Sequence, residues 1–342
     1  MEKKKNDFIA QGSILAIASI LVRVMGMIYR IPMTAIIGDK GNGFYSYAYS
    51  VYTILLLLSS YSLPLAVSKM VSAKAQLGQW RNVKRVFICA IAFAIGIGTT
   101  FGLTVLIGAQ FFTRVFFHSE LAAIALRFMA PTILIMALLG VFRGFFQGLQ
   151  NTLPTAVSQI VEGLINAIMS VVFAYFLFDF GHGMDVASGT TDLGYAWGAA
   201  GGAIGTGAGA LAGLIFCFIL FVAYRKILAV NISRDKTGTQ QEYGDIFRLM
   251  LSIALPVILS TALYNLIELV DGSLFNNIMA SKGMEDVKDS MWGAYNAKAL
   301  LLVHIPVSIS SAMAVSLVPT LTAAYALGDE QTAKSKVHAI LR

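Results

Sequence analysis

The chain of 342 residues is 57% hydrophobic and only 13% charged, with a mean hydropathy of +0.73. A soluble domain carries about 25% charged residues, so the composition excludes an ordinary water-soluble fold and points to an all-α integral membrane protein. The net charge of +7 comes from basic residues clustered between apolar runs, the pattern of orientation signals and not of a nucleic-acid partner.

The opening MEKKKNDF is basic and leads into a long apolar run with no small-residue cleavage site, so it reads as the approach to a first span. A helix needs about 20 mostly apolar residues to cross the hydrocarbon core. Eight runs qualify: 13–37, 45–67, 86–110, 121–146, 152–178, 196–224, 247–279 and 292–317. The prolines lie within or at the edges of these runs, where transmembrane helices tolerate them. With the N-terminus placed in the cytoplasm, sixteen Lys and Arg fall in inner segments. Only Lys40, Arg114, Lys282 and Lys288 fall outside. That asymmetry predicts a multi-pass protein of a bacterial cytoplasmic membrane with a cytoplasmic N-terminus.

The chain also resembles itself. AYSVYTILLLL at 48–58 recurs loosely as AYNAKALLLV at 294–303, and the segment 65–85 recurs as 313–336. Spans 1–2 then correspond to spans 7–8. An even offset of six spans gives parallel repeats related by an axis along the membrane normal. The expected architecture is a polytopic helix bundle of two parallel six-helix repeats, the second truncated. Residues 1–224 form an N-lobe of helices 1–6, 225–246 a cytoplasmic linker, and 247–342 a partial C-lobe. Because the second unit stops where its third span begins, a truncated protein or a fragment is expected.

A charge at the bilayer centre costs about 2.5–3.5 kcal/mol on insertion scales and marks a functional candidate. Arg23 and Arg30 lie two helical turns apart in span 1, Arg143 near the end of span 4, and Lys298 early in span 8. Arg127 in span 4, like Arg143, is within reach of an interface by snorkelling. Glu162 lies in span 5, and Glu268 and Asp271 three apart in span 7. The basic bias of this set suits an anionic cargo, because a guanidinium binds phosphate through a planar fork. The acids are candidates for coupling an ion, or else for holding helices together.

Other signals carry less. GTGAGA at 205–210 has the spacing of a dinucleotide fingerprint, but it lies inside a span. Close helix packing at Gly198/Gly202, Gly201/Gly205 and Gly205/Gly209 is the better reading. The aromatic run FYSYAYSVY reads as interface belt and packing. Cys89 and Cys217 sit in apolar runs, the histidines are scattered, and neither a metal motif nor an enzyme's catalytic constellation is present.

Three segments together are specific enough to suggest a family. They are RVMGMIYRIP in span 1, SLPLAVSKMVSA after span 2, and GVFRGFFQGLQNTLPTAVSQIVEGLINA across spans 4–5. They resemble the multidrug/oligosaccharidyl-lipid/polysaccharide flippase superfamily, in its polysaccharide-biosynthesis and stage V sporulation B-like branch related to the lipid II flippases. The resemblance implies two six-helix lobes around a cationic cavity and alternating access for an undecaprenyl-pyrophosphate-linked sugar. It implies that Arg23 binds pyrophosphate, with Arg30 one residue off the family's second arginine. Trp292, Tyr295 and Lys298 resemble a family W-x-x-Y-x-x-R, and Asp271 resembles an aspartate linked to sodium. The family's span 2 arginine has no counterpart near Ser59 and Ser60, and its acidic residue just before span 2 is read as absent.

The expectation is a flippase for an anionic lipid-linked oligosaccharide, acting as a monomer among membrane lipids, with no cofactor beyond Na+ or H+ as coupling ion. Arg23, Arg30, Lys298 and Arg143 are assigned to the pyrophosphate and Asp271 and Glu268 to the ion; Glu162 is a further charge within the membrane. A cation-coupled drug exporter would prefer an acidic cavity, and a non-transporting scaffold would use its charges only structurally.

Overall fold

A computed structural model describes residues 17–300, 302, 303 and 306, and the described residues form a bundle of α-helices. Helix α1 spans Ile17–Ile28 and α2 Arg30–Ser60. Helix α3 spans Leu63–Gln76, α4 Trp80–Phe117 and α5 Ala122–Gly148. Helix α6 spans Leu153–Ser188, α7 Leu193–Ser233 and α8 Tyr243–Ser281. The short α9, Glu285–Ala294, runs into a π-helical turn at Tyr295–Ala299. The stretch Arg30–Gln76 and helices α4 to α8 are long and apolar enough to cross a membrane. The predicted spans 86–110 to 247–279 fall within α4 to α8. The continuation of span 8 beyond Pro306, the repeat partner at 313–336 and the last basic cluster lie outside the described residues.

Spans 1 and 2 meet at a single residue. Gly38 has φ +62° and ψ −177° inside α2, a region open essentially to glycine alone. The chain folds back there. Met33 before the break and Tyr45 after it abut the same Gly202 of α7, and Asn42 Nδ2 donates to the Gly38 carbonyl at 2.8 Å.

Helices then alternate in direction. The connections α3–α4, α5–α6 and α7–α8 gather at one end, termed the linker end. The Gly38 reversal and the connections α4–α5, α6–α7 and α8–α9 gather at the far end. Glycine stripes set the closest approaches. Gly140, Gly144 and Gly148 of α5 receive Pro64, Val67 and Val71 of α3. On α7, Gly201, Gly205 and Gly209 press against Ala174, Ser170 and Asn166 of α6, while Gly198 and Gly202 receive Ile37 and Met33 of α2. In lipid there is no hydrophobic drive between helices, so such contacts carry association through van der Waals packing.

Two carboxylates cap helices that have no side-chain cap of their own. Asp185 accepts from the N–H groups of Leu193 and Gly194 at 3.0 and 2.8 Å, closing the start of α7. Asp235 accepts from the Arg81 N–H at 2.9 Å, closing the start of α4 from the linker. Around it the linker is stitched to α4. The wholly buried Asn82 donates to the Thr239 carbonyl and accepts from the Gln241 N–H, and Arg85 donates to the Gln241 carbonyl and to Gln240. The Arg85 guanidinium lies 5.1 Å above the Tyr243 ring, where α8 begins.

Gly205→Ala is expected to lower stability by about 1–3 kcal/mol, the usual range for overpacking, because its methyl would collide with Ser170. Gly96→Ala meets nothing within 4 Å and is expected to be neutral or to stabilise by up to ~1 kcal/mol through helix propensity. Thermal unfolding in detergent compares the two. The hydrogen bonds from the Arg81 N–H and from Thr237 hold Asp235 at about 2. Its folded value lies below the usual ~3.9, so the latch is fully formed above about pH 4 and is lost as pH falls through about 2. Hydrogen exchange at the first turn of α4 is expected to follow that course, and Asp235→Asn to raise exchange there at every pH.

Candidate functional site

The reversal at Gly38 lays Arg30 against the second half of α2. Eight residues before the glycine, Arg30 faces Tyr29, Tyr45 and Tyr49. Asn42, Tyr45, Ser46 and Tyr49 recur at helical spacing and present one face to a cavity of about 200 Å³. Tyr29, Arg30 and Met33 form its second wall. Glu268 of α8, with Asn296, Ala297 and Leu300, forms the third. The cavity therefore lies between the first two spans and the start of the expected C-lobe. Tyr45 and Tyr49 stack with ring centroids 5.8 Å apart, and the Tyr45 hydroxyl lies 3.4 Å from Thr206 of α7.

Arg30 also lines a second cavity of about 310 Å³ with Ile31, Thr34, Ala297, Lys298 and Leu302. The second volume alone reaches the lower end of the usual 300–1,000 Å³ range for small-ligand sites. Lys298 sits in the π-helical turn, a feature frequent at functional sites. Its ammonium donates to Asp39 Oδ2 at 2.7 Å, so the π-helical turn is tied to α2 beside Gly38. The ion pairs among the described residues are Lys40–Asp192, Arg114–Glu120, Arg143–Glu162 and Lys298–Asp39; none contains Arg30.

The other expected site residues scatter. Arg23 is exposed on α1 and is not part of either cavity wall. Arg143 is buried in α5 instead of snorkelling to an interface. Its Nε donates to Ser158 at 2.9 Å and its Nη2 to Glu162 at 2.7 Å, both on α6. This closed polar unit stands apart from the two cavities and reads as a clamp between helices. Arg127 is exposed. Glu268 lines the first cavity, whereas Asp271, one turn on, is exposed and outside it. No cluster of three metal-ligating side chains occurs among the described residues.

Asp39, an acidic residue between the first two spans, follows the reversal directly and pairs with Lys298. The aromatic run packs inside the bundle, as one part of its sequence reading had it. Tyr45, Tyr47 and Tyr52 are buried, and Tyr45 and Tyr49 form the cavity wall. The helical spacing of Asn42, Tyr45, Ser46 and Tyr49 was the available signal for that face.

Comparison with known proteins agrees with this architecture. Residues 8–324 match the model of the polysaccharide biosynthesis protein family, and the chain belongs to that family. It is 25% identical over 337 residues to the lipid II flippase MurJ of Bacillus subtilis, covering 95% of this chain and 59% of that protein. It is 25% identical over 323 residues to stage V sporulation protein B of the same organism, covering 93% of this chain and 58% of that one. The chain thus spans under two thirds of the length of these relatives. Among solved structures, a MOP superfamily transporter from Pyrococcus furiosus shares the fold with a TM-score of 0.60 at 16% identity, covering 97% of this chain and 68% of that one. With its apolar helices, the chain is a multi-pass membrane protein of the polysaccharide biosynthesis protein family, and it shares its fold with the Pyrococcus transporter.

Removing one member of the Arg143–Glu162 pair strands a charge away from water, which typically costs 3–5 kcal/mol. Arg143→Met is therefore expected to lower thermal stability strongly, and Arg143→Met combined with Glu162→Gln to recover much of the loss. A double-mutant cycle in detergent measures the coupling.

Proposed function

We propose that this family member carries an undecaprenyl-pyrophosphate-linked oligosaccharide, lipid II or a related cell-wall precursor, across a bacterial cytoplasmic membrane. In this reading the linker end is cytoplasmic, in keeping with the basic residues that cluster there, and the far end is external. One observation carries the proposal: Arg30 forms part of the wall of both cavities between the first two spans and the α8–α9 unit. A guanidinium placed there offers paired donors to a pyrophosphate. The neighbouring tyrosines and asparagines supply flat apolar faces and neutral hydrogen-bonding groups suited to a sugar. The name of one Bacillus relative, the lipid II flippase, supports the same cargo class.

Lys298 enters the same chemistry through its pair with Asp39. An incoming pyrophosphate competes for the ammonium, so binding loosens a contact that ties the two halves of the site. A ligand biases a conformational equilibrium only through such a difference in contacts between states. In this reading Glu268, which lines the same cavity as Arg30, takes the coupling ion, Na+ or H+, as the cargo leaves. A drug exporter for organic cations would set its cargo beside Arg30, an unfavourable arrangement.

Charge-assisted hydrogen bonds contribute about 1.5–3 kcal/mol, so Arg30→Ala is expected to slow translocation of fluorescent lipid II in proteoliposomes by at least about tenfold. Arg30→Lys is expected to fall between that variant and wild type, because it keeps the charge and loses the fork. Wild-type flipping in Arg30→Ala would remove the basis of the assignment.

A further inference from the structure

At the far end, α9 packs into the first two spans more tightly than any side chain allows. A methyl on Gly43 would collide with the Asp289 carbonyl, and one on Gly293 with the Asp39 carbonyl. Aromatic rings extend the contact: Tyr47 stacks on Phe117 at 4.7 Å and on Trp292 at 6.4 Å, and Trp292 lies against Phe275 at 5.2 Å. Lys288 reaches from α9 to the carbonyls of Phe117 and His118 at the end of α4, at 3.3 and 2.8 Å. At the far end α9 is thus in direct contact with α2 and the end of α4.

Within this contact Asp289 is 9% exposed, and its Oδ1 has no hydrogen-bond partner. The carboxyl group faces the Tyr47 hydroxyl. The direction of every proton in that line follows from donor chemistry. The Gly272 carbonyl can only accept, so the Asn276 group 2.8 Å away is its amide nitrogen. Asn276 Oδ1 then points to Tyr47, 2.9 Å away, and the single Tyr47 proton is donated to it. The Tyr47 oxygen is left with lone pairs only. A carboxylate has nothing to donate to them, whereas a protonated carboxyl has a proton to offer.

We infer that Asp289 is a proton-binding site of the far-end gate: it is protonated while the gate is closed and loses its proton to water when the gate opens. The charged groups around it leave this role to it. Of the groups on α2, Lys40 is engaged by Asp192, which precedes α7, and Asp39 by Lys298 of the π-helical turn. Lys288, its neighbour on α9, is spent on the two α4 carbonyls, and α8 presents the neutral Asn276. Burial raises the Asp289 carboxyl above its ordinary range, against the pull of Lys288, the Tyr47 hydroxyl and Lys40. The closed state therefore binds the proton more tightly than the open one. Acid favours closure, and closure weakens as pH rises through the raised value. This site is separate from Glu268 and Asp271, and its protonation does not depend on what the protein carries.

Two measurements on the protein in lipid nanodiscs test the inference. Infrared spectra should show a protonated-carboxyl C=O band at a pH where free aspartate, near ~3.9, is ionised; the band should vanish in Asp289→Asn. Nitroxides on Thr191→Cys and Glu285→Cys, both exposed far-end positions, with Cys89 and Cys217 replaced by serine, should separate as pH rises. Asp289→Asn, whose amide donates to Tyr47 at every pH, should hold the short distance throughout. A wild-type spectrum lacking the band overturns the protonation. A pH-dependent distance that persists in Asp289→Asn, or no pH dependence in wild type, overturns its coupling to the gate. Neither readout uses lipid-linked cargo, so a failure here is distinct from unimpaired flipping by Arg30→Ala.

Discussion

The backbone at Gly38 is the constraint on which the site depends. With φ +62° and ψ −177°, it holds a conformation that a Cβ would clash with, and it reverses the chain within one residue. That reversal brings Arg30 to Tyr45 and Tyr49, places Asp39 where Lys298 can reach it, and lets α2 present two strips to the glycines of α7. A longer loop would satisfy the hydropathy pattern equally well but would not fix the register of the two spans. The cavity wall is a consequence of that register.

Burial without water orders the remaining polar groups. Four buried charges find partners that could not be inferred from hydropathy. Arg143 takes Ser158 and Glu162, Lys288 takes two helix-end carbonyls, and Asp235 and Asp185 take the free N–H groups at helix starts. The last two arrangements join segments distant in sequence, so each helix start is also a tertiary contact. An unmet polar group in hydrocarbon costs several kcal/mol, which explains why these residues occur in complementary sets.

Much of the bundle could be read directly. Apolar runs located α4 to α8, and the small-residue spacing on α7 identified the face that meets α6. What could not be read was selection among equivalents. Gly38, Gly41 and Gly43 lie within six residues, and only Gly38 takes a positive φ. Arg23, Arg30 and Arg143 are all arginines within apolar runs, yet one is exposed, one lines two cavities and one is locked into a pair. Those outcomes depend on which neighbour each side chain meets, and hydrophobic periodicity carries no information about that. Asp39 was passed over for a related reason. Beside Lys40 in a short polar turn it resembles a solvated loop charge, and only the π-helical turn that delivers Lys298 changes its meaning.

The latch between Asp235, Asn82, Arg85 and α4 has a mechanical consequence. It fixes the point from which α8 departs, near Tyr243, so that any swing of α8 pivots there. Helix α8 has 39 residues and is about 58 Å long at 1.5 Å per residue. A swing of about 10° at the fulcrum carries its distal tip through about 10 Å, while the segment beside the fulcrum scarcely moves. A small angular adjustment where the linker is pinned is thereby amplified at the opposite membrane face.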